Sequence, residues 1–311
     1  MLRTIGFASL MSVITLTSLT ATSAAAEPLK VVASFSIIGD FAKNVGGDRI
    51  ELTTLVGPDG DAHVYEPSPA DAVTMSKADV VLVNGLQFEG FLQRLVEASA
   101  TMASVVELTK GVEPIKMKED HEHAAEAGGD DHHHGDLDPH AFQSIANARI
   151  YVKNIADAFC AADSTGCDAY RSNADAYTAK LVAAETEVKE AVAAIPEAKR
   201  TIITSHDAFG YFENAYGLTF LAPEGISTEA EASAADVAAL ISQVRGDKAS
   251  AIFVENITNP RLVEQISAET GVKVGGTLYS DALSKADGPA ATYIDMMKSN
   301  IATIKGAILG S

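Results

Sequence analysis

Two stretches decide the architecture: ASFSIIGDFAKNVGG, residues 33–47, and TSHDAFGYFENAYGL, residues 204–218. Laid over each other at one offset, Ser34 meets Ser205, Gly39 meets Gly210, Phe41 meets Phe212 and Gly46 meets Gly217. Each stretch follows a short apolar, β-branched run, LKVVA or RTIIT, and then changes to helical spacing. Farther on, EPSPADAV (66–73) returns as EASAADVA (231–238). Repetition at this scale means one supersecondary plan used twice, unless short matches coincide by chance.

The second pair of segments reads as helix starts. Ser68 and Ser233 suit the N-cap, with Asp71 and Asp236 three residues later at the capping-box position, and Pro69 suits the first helical turn. Each leads through a helix into an apolar strand, ADVVLVNG or ASAIFVEN. IELTTLVG and SVVELTKG complete the strands of the first half, TFLAPEG and VKVGGTLYS those of the second. Short apolar runs alternating with helices predict parallel sheets with βαβ crossovers.

Between the halves, from about Asp168 to Ile195, runs a helical pattern without Gly or Pro. Tyr177, Leu181, Ala184, Val188, Val192 and Ile195 form one apolar stripe, Glu185 and Lys189 an i,i+4 pair, and Pro196 a stop. The expected fold is therefore α/β, with two lobes joined by one long rigid helix. Each lobe has a central parallel four-stranded sheet and flanking helices. The expected boundaries are a first lobe over 27–167, a linker helix over 168–196 and a second lobe over 197–311. A low-complexity insertion at about 116–136 interrupts the first lobe.

Residues 1–26 read as a signal peptide rather than an uncleaved anchor. Arg3 supplies the positive start, Ile5 to Leu19 the apolar core, and Ala24-Ala25-Ala26 the cleavage site. No cysteine opens the mature chain, so a lipid anchor is not indicated. An exported protein is expected. A formal charge of −19 excludes nucleic acid as a partner, since phosphate binding needs Lys and Arg clusters. The two cysteines, Cys160 and Cys167 in CAADSTGC, favour a local disulfide over free thiols in an exported chain.

Of the eight histidines, only His63 and His206 lie outside 121–142. Open parallel sheets bind ligands beyond the carboxyl ends of their strands. His206 follows RTIITS and Asp281 follows GGTLYS, both strand ends of the second lobe. His63 lies in the loop after IELTTLVG, and His140, in DPHAF, lies where the insertion returns to helical sequence. The four therefore face one another across the interlobe cleft. Three imidazoles and a carboxylate suit a divalent first-row ion, tetrahedral zinc best. Glu66 and Asp207 are the expected partners of the imidazoles' second nitrogens.

With these residues in place, the chain resembles the zinc/manganese-type periplasmic solute-binding proteins of ABC transporters, zinc-uptake (ZnuA/AztC) type. The likeness is carried by residues 33–71, DPHAF, TSHDAFGYFENAYGL and the segment 275–300, which span nearly the whole mature chain in order. It implies two α/β lobes on a rigid helix with metal between them, and ligands at His63, His140, His206 and Asp281. Two departures stand out. Manganese-type members usually carry Glu at the third position, where this chain has His206, which moves the choice to zinc. After the second ligand the family usually shows a bulky Val-Trp pair, where this chain has Ala141-Phe142.

His121, His123, His132, His133 and His134 sit among Gly, Ala, Asp and Glu that cannot bury enough apolar surface to fold alone. They are expected to collect zinc weakly and pass it to the cleft, or to take it from a periplasmic donor protein. The plainer reading is a solvated insertion with incidental metal affinity. The expected function is a monomeric periplasmic receptor that binds Zn²⁺ as cargo for an inner-membrane ABC permease, with affinity falling below about pH 6–7. The rival is an exported zinc hydrolase with Asp281 as base, against which stands the absence of HExxH and G-x-S-x-G motifs.

Overall fold

The computed structural model describes residues 27–116, 137–230, 232–247 and 249–310. The expected signal peptide, and His121, His123, His132, His133 and His134, lie outside the described residues.

The first lobe runs β1 (Leu29–Phe35), α1 (Ser36–Gly46), β2 (Ile50–Val56), α2 (Pro69–Ser76), β3 (Val80–Val83), α3 (Leu92–Ser99), β4 (Ser104–Glu107) and α4 (Ile145–Ala162). The long helix α5 covers Cys167–Ala193. The second lobe runs β5 (Thr201–Ile203), α6 (Gly210–Tyr216), β6 (Thr219–Leu221), α7 (Ala234–Asp247), β7 (Ile252–Glu255), α8 (Arg261–Thr270), β8 (Val274–Leu278) and α9 (Tyr293–Leu309). Both sheets are parallel, ordered β2-β1-β3-β4 and β6-β5-β7-β8. The two orders are the same plan, so the internal repeat is a repeat of topology.

Local chemistry explains the element starts. Ser68 and Asp71 form the reciprocal capping box of α2, and Ser233 and Asp236 exchange the same bonds before α7, at 3.1 and 3.2 Å. The repeat departs from itself at α6, which begins at Gly210. Its counterpart α1 begins at Ser36, which aligns with Asp207. The backbone N–H groups of Ser205 and His206 are held by Glu255 instead, and Ala208 turns back onto the His206 carbonyl. Gly210 must lack a side chain, because a Cβ there would stand 2.5 Å from Asp138 Oδ2.

The apolar stripe of α5 is buried as its spacing requires, and the helix packs on α1, α4 and α9. One continuous core joins the first lobe, α5, α9 and an aromatic group of Phe209, Phe212, Tyr216 and Phe220 in the second lobe. A smaller core of Ile203, Leu240, Ile241, Val244, Ile252, Val263 and Ile266 holds α7 and α8 on their sheet. Cys160 and Cys167 form a disulfide between α4 and α5. Lys116 and Leu137 pair as an antiparallel bridge, so the two ends of the insertion are side by side.

Candidate metal centre

Four loops bring the site together. His63 lies between β2 and α2, and His140 precedes the 3-10 turn Ala141–Gln143 that enters α4. His206 follows β5 by three residues, and Asp281 follows β8 by three. All four side chains are buried, His140, His206 and Asp281 completely. One ligand atom from each lies within 4.8 Å of every other. Asp281 Oδ2 is 3.2 Å from His63 Nε2, 3.6 Å from His140 Nε2 and 3.1 Å from His206 Nε2, and the Nε2 atoms of His63 and His140 are 3.3 Å apart. A tetrahedral ion with bonds of about 2.0–2.2 Å separates its ligand atoms by about 3.3–3.6 Å. These four separations, 3.1–3.6 Å, are close to edges of that tetrahedron, and no pair of the four atoms is more than 4.8 Å apart.

The expected partners of the imidazoles need correction. Glu66 is exposed. The carboxylates at the Nδ1 atoms are Asp138, 2.8 Å from His140, and Glu255, 2.6 Å from His206. Asp138 Oδ1 also accepts the His140 backbone N–H at 2.8 Å, so one oxygen fixes both the turn and the ring. Glu255 Oε1 accepts the N–H groups of Ser205 and His206 at 2.7 and 2.9 Å. Its Oε2 meets His206 Nδ1 closely, although the angle falls short of a good hydrogen bond. Carboxylates in this position hold a ring's tautomer and orientation toward a metal. Asp138 was legible as an Asx-type pattern two residues before its histidine. Glu255 ends a strand that reads as plain core, and its signal was the repeat, which sets it against Asn84 of the first lobe.

The apolar wall is aromatic. Phe88 packs its ring against His63 and His140 with centroids 4.7 and 5.6 Å away. Phe142, in the place of the family's bulky pair, is fully buried against Phe35, Phe88 and His140.

Charge is strongly coupled here. Burial disfavours a charged His140, but Asp281 and then Asp138 outweigh it and raise its pKa to about 9. Burial likewise opposes charge on His206, and Glu255 and Asp281 lift it well above its ordinary value. Burial alone would raise Asp281, yet His140 and His206 hold it well below the usual carboxylate range. A divalent cation at the same point supplies the positive charge that these carboxylates call for.

A buried set of three imidazoles and one carboxylate, held between two lobes on a common helix, defines a solute-binding receptor for a metal ion, of the class that serves ABC transporters. The chain belongs to the family described as zinc-uptake complex component A, periplasmic (ZnuA), which it matches over residues 31–307. It is 35% identical over 284 residues to the manganese-binding lipoprotein MntA of Halalkalibacterium halodurans, covering 91% of this chain and 90% of that protein. It is 34% identical over 301 residues to the iron ABC transporter substrate-binding lipoprotein MtsA of Streptococcus pyogenes serotype M1, covering 95% and 94%. Among solved structures it is similar to the periplasmic zinc binding protein TroA from Treponema pallidum, with a TM-score of 0.80 and 27% identity over 90% of this chain and 99% of that one. This is a family of receptors and not of enzymes. The hydrolase reading therefore falls, and Asp281 Oδ2, within 3.6 Å of all three Nε2 atoms, does not stand apart as a base.

Proposed function

We propose that the chain is an exported receptor that captures Zn²⁺ through His63, His140, His206 and Asp281 and delivers it to an inner-membrane ABC permease. The observation that carries this reading is the donor set. Three imidazole nitrogens and one carboxylate oxygen, all buried, lie at spacings that suit a four-coordinate ion. Such a set favours zinc over harder ions that take more oxygen. Four protein ligands leave no place for a reactive water, which suits cargo.

Relatives named for manganese and iron keep a second metal in contention, and one feature favours it. Asp281 Oδ1 is buried without a hydrogen-bond partner, so the carboxylate is free to turn both oxygens to a larger ion. Metal content of the purified protein and competitive titration of Zn²⁺ against Mn²⁺ decide between the two. Zinc selectivity of several orders of magnitude is expected, and preferential retention of manganese overturns the zinc reading. His206→Ala is expected to weaken zinc binding by orders of magnitude, and native affinity in that variant removes His206 from the site.

In this reading the signal peptide is cleaved near Ala26, the receptor works as a monomer, and the insertion with His121, His123, His132, His133 and His134 gathers zinc from solution or from a periplasmic donor. Deleting about residues 116–135 tests the last point. The role is lost if cleft affinity and the rate of zinc acquisition from a donor both stay unchanged.

A further inference from the structure

The turn that carries His140 also carries a side chain that crosses the cleft. Gln143 closes this turn, its N–H donating to the His140 carbonyl at 2.9 Å. Its side-chain Nε2 donates to the carbonyl of Ser280 at 2.5 Å, and Ser280 immediately precedes Asp281. Gln143 and Ser280 are both fully buried.

We propose that Gln143 is a positioning residue for the metal site, a clasp from the His140 turn of one lobe that sets the Ser280–Asp281 peptide of the other. The proposal rests on the ligand assignment made above. While the clasp holds, Asp281 Oδ2 points at the three imidazoles. When it opens, the carboxylate is released from the ion.

Three observations carry this. First, Asp281 lies beyond the end of β8, where no strand ladder fixes the backbone. Tyr279 is pinned by Asn300 within its own lobe, at 2.9 and 2.8 Å. The next residue is held by Gln143, and Leu283 donates to Ser36 Oγ of the first lobe at 2.9 Å. Asn256 of the second lobe reaches the Ala282 carbonyl at 3.3 Å, so the ligand is held from its own lobe as well as by first-lobe side chains on either side. Second, among the described residues three other bonds tie the His140 turn to the second lobe, Tyr293 OH to the Phe142 carbonyl at 2.7 Å, Tyr211 OH to the Asp138 carbonyl at 3.1 Å and the Ile145 N–H to Tyr216 OH at 3.0 Å. None of these tyrosines adjoins a proposed ligand in sequence, so of the four only the Gln143 bond acts directly on the Asp281 loop. Third, Gln143 Oε1 and Ser280 Oγ are buried without partners. A stranded amide oxygen is destabilising, and a leucine would fill similar volume without it. What the amide supplies in return is one donor to the Ser280 carbonyl.

The test is Gln143→Leu in the full mature chain, with Co²⁺ as probe because its visible bands report coordination number and geometry. Asp281→Asn marks the spectrum of a disturbed fourth ligand. Tyr293→Phe removes an interlobe bond onto the neighbouring Phe142 carbonyl without touching Ser280. The expected result is a Gln143→Leu spectrum shifted toward that of Asp281→Asn and metal release to a chelator faster by roughly tenfold, while Tyr293→Phe keeps the native bands. Native bands and release rate in Gln143→Leu overturn the clasp alone, and equal changes in both variants also overturn it, as general loosening. Co²⁺ bands that stay native in both His206→Ala and Asp281→Asn overturn the ligand assignment, and the clasp with it. Gln143→Met, of similar length and without a donor, replaces the leucine variant if that fails to fold, with the same outcomes.

Discussion

Glu255 Oε2 lies 2.6 Å from His206 Nδ1, and the other oxygen of the same carboxylate takes the backbone N–H groups of Ser205 and His206. One fully buried side chain thus fixes both the ring and the strand end of a candidate ligand. Its counterpart in the first lobe is Asn84, which instead binds the Pro139 carbonyl and Tyr151. The duplicated scaffold has one end specialised for holding an imidazole.

Glu255→Gln keeps the shape but removes the charge behind His206. Loss of a carboxylate behind a metal-bound imidazole typically costs about 10–100-fold in affinity. That loss is the expected result, read by competition with a chelator of known strength. Unchanged affinity would mean that the carboxylate serves the fold and not the ion.

Proton linkage supplies a second expectation. In the metal-free protein His140 and His206 have raised pKa values, because Asp281 with Asp138 or Glu255 outweighs their burial. A histidine whose folded pKa is raised contributes stability that is complete below its unfolded value, about 6.5, and is lost as pH rises through the folded value. For His140 that value is about 9. The melting temperature of chelator-treated protein should therefore decline between about pH 6.5 and 9. Zinc affinity should climb over the same range, since each proton must leave before its nitrogen can coordinate. The fall in affinity expected of ordinary histidines below about pH 6–7 should therefore begin at higher pH, because the buried carboxylates raise both imidazoles. A flat melting profile over this range in the metal-free protein would refute the coupling.

Most of the fold was legible because it repeats. Ser34 and Ser205, and Ser68 and Ser233, occupy matching strand ends and helix caps, and caps are local chemistry that a sequence states openly. The place of the candidate ligands was legible because the end of a strand is a topological place, so His206 and Asp281 could be assigned to one rim before any distance was known. Glu255 and Gln143 were not. Each acts through a contact between segments far apart in sequence, Glu255 across to β5 and Gln143 across the cleft. In sequence one looks like the end of a core strand and the other like the start of a helix.

Phe88 is the apolar support of the first-lobe imidazoles, with Phe35 at 4.9 Å, His63 at 4.7 Å and Phe142 at 5.5 Å between centroids. Truncating such a ring costs about 3–5 kcal/mol. Phe88→Ala should show that loss in denaturant unfolding and bind zinc more weakly as well, because His63 loses the surface that holds its ring. Phe88→Leu should recover most of both. If the alanine variant loses stability but binds zinc at full strength, the ring supports only the core.

The disulfide offers the contrary case, stability without influence on the site. Cys160 lies in the last turn of α4 and Cys167 opens α5, seven positions apart. The loop between them is held independently by Asp163. That carboxylate accepts Tyr170 OH at 2.9 Å, pairs with Arg49 at 3.0 Å and takes Thr165 Oγ1 at 2.6 Å. Side-chain bonds from Thr165 and Arg49 outweigh burial, which acts the other way, and keep Asp163 well below the usual carboxylate range. The folded loop should therefore persist when the bridge is cut, and the loss falls on the constraint that the bridge places on the unfolded chain. For a ring this small that constraint is worth about 2.5 kcal/mol. Along α4, Cys160 lies about 22 Å from the helix start beside His140. Cys160→Ser with Cys167→Ser should therefore unfold at lower denaturant by an amount near that value while zinc affinity and the Co²⁺ spectrum stay native. A weakened or altered metal site in the double variant would show that the α4–α5 hairpin sets the position of His140 through the length of the helix.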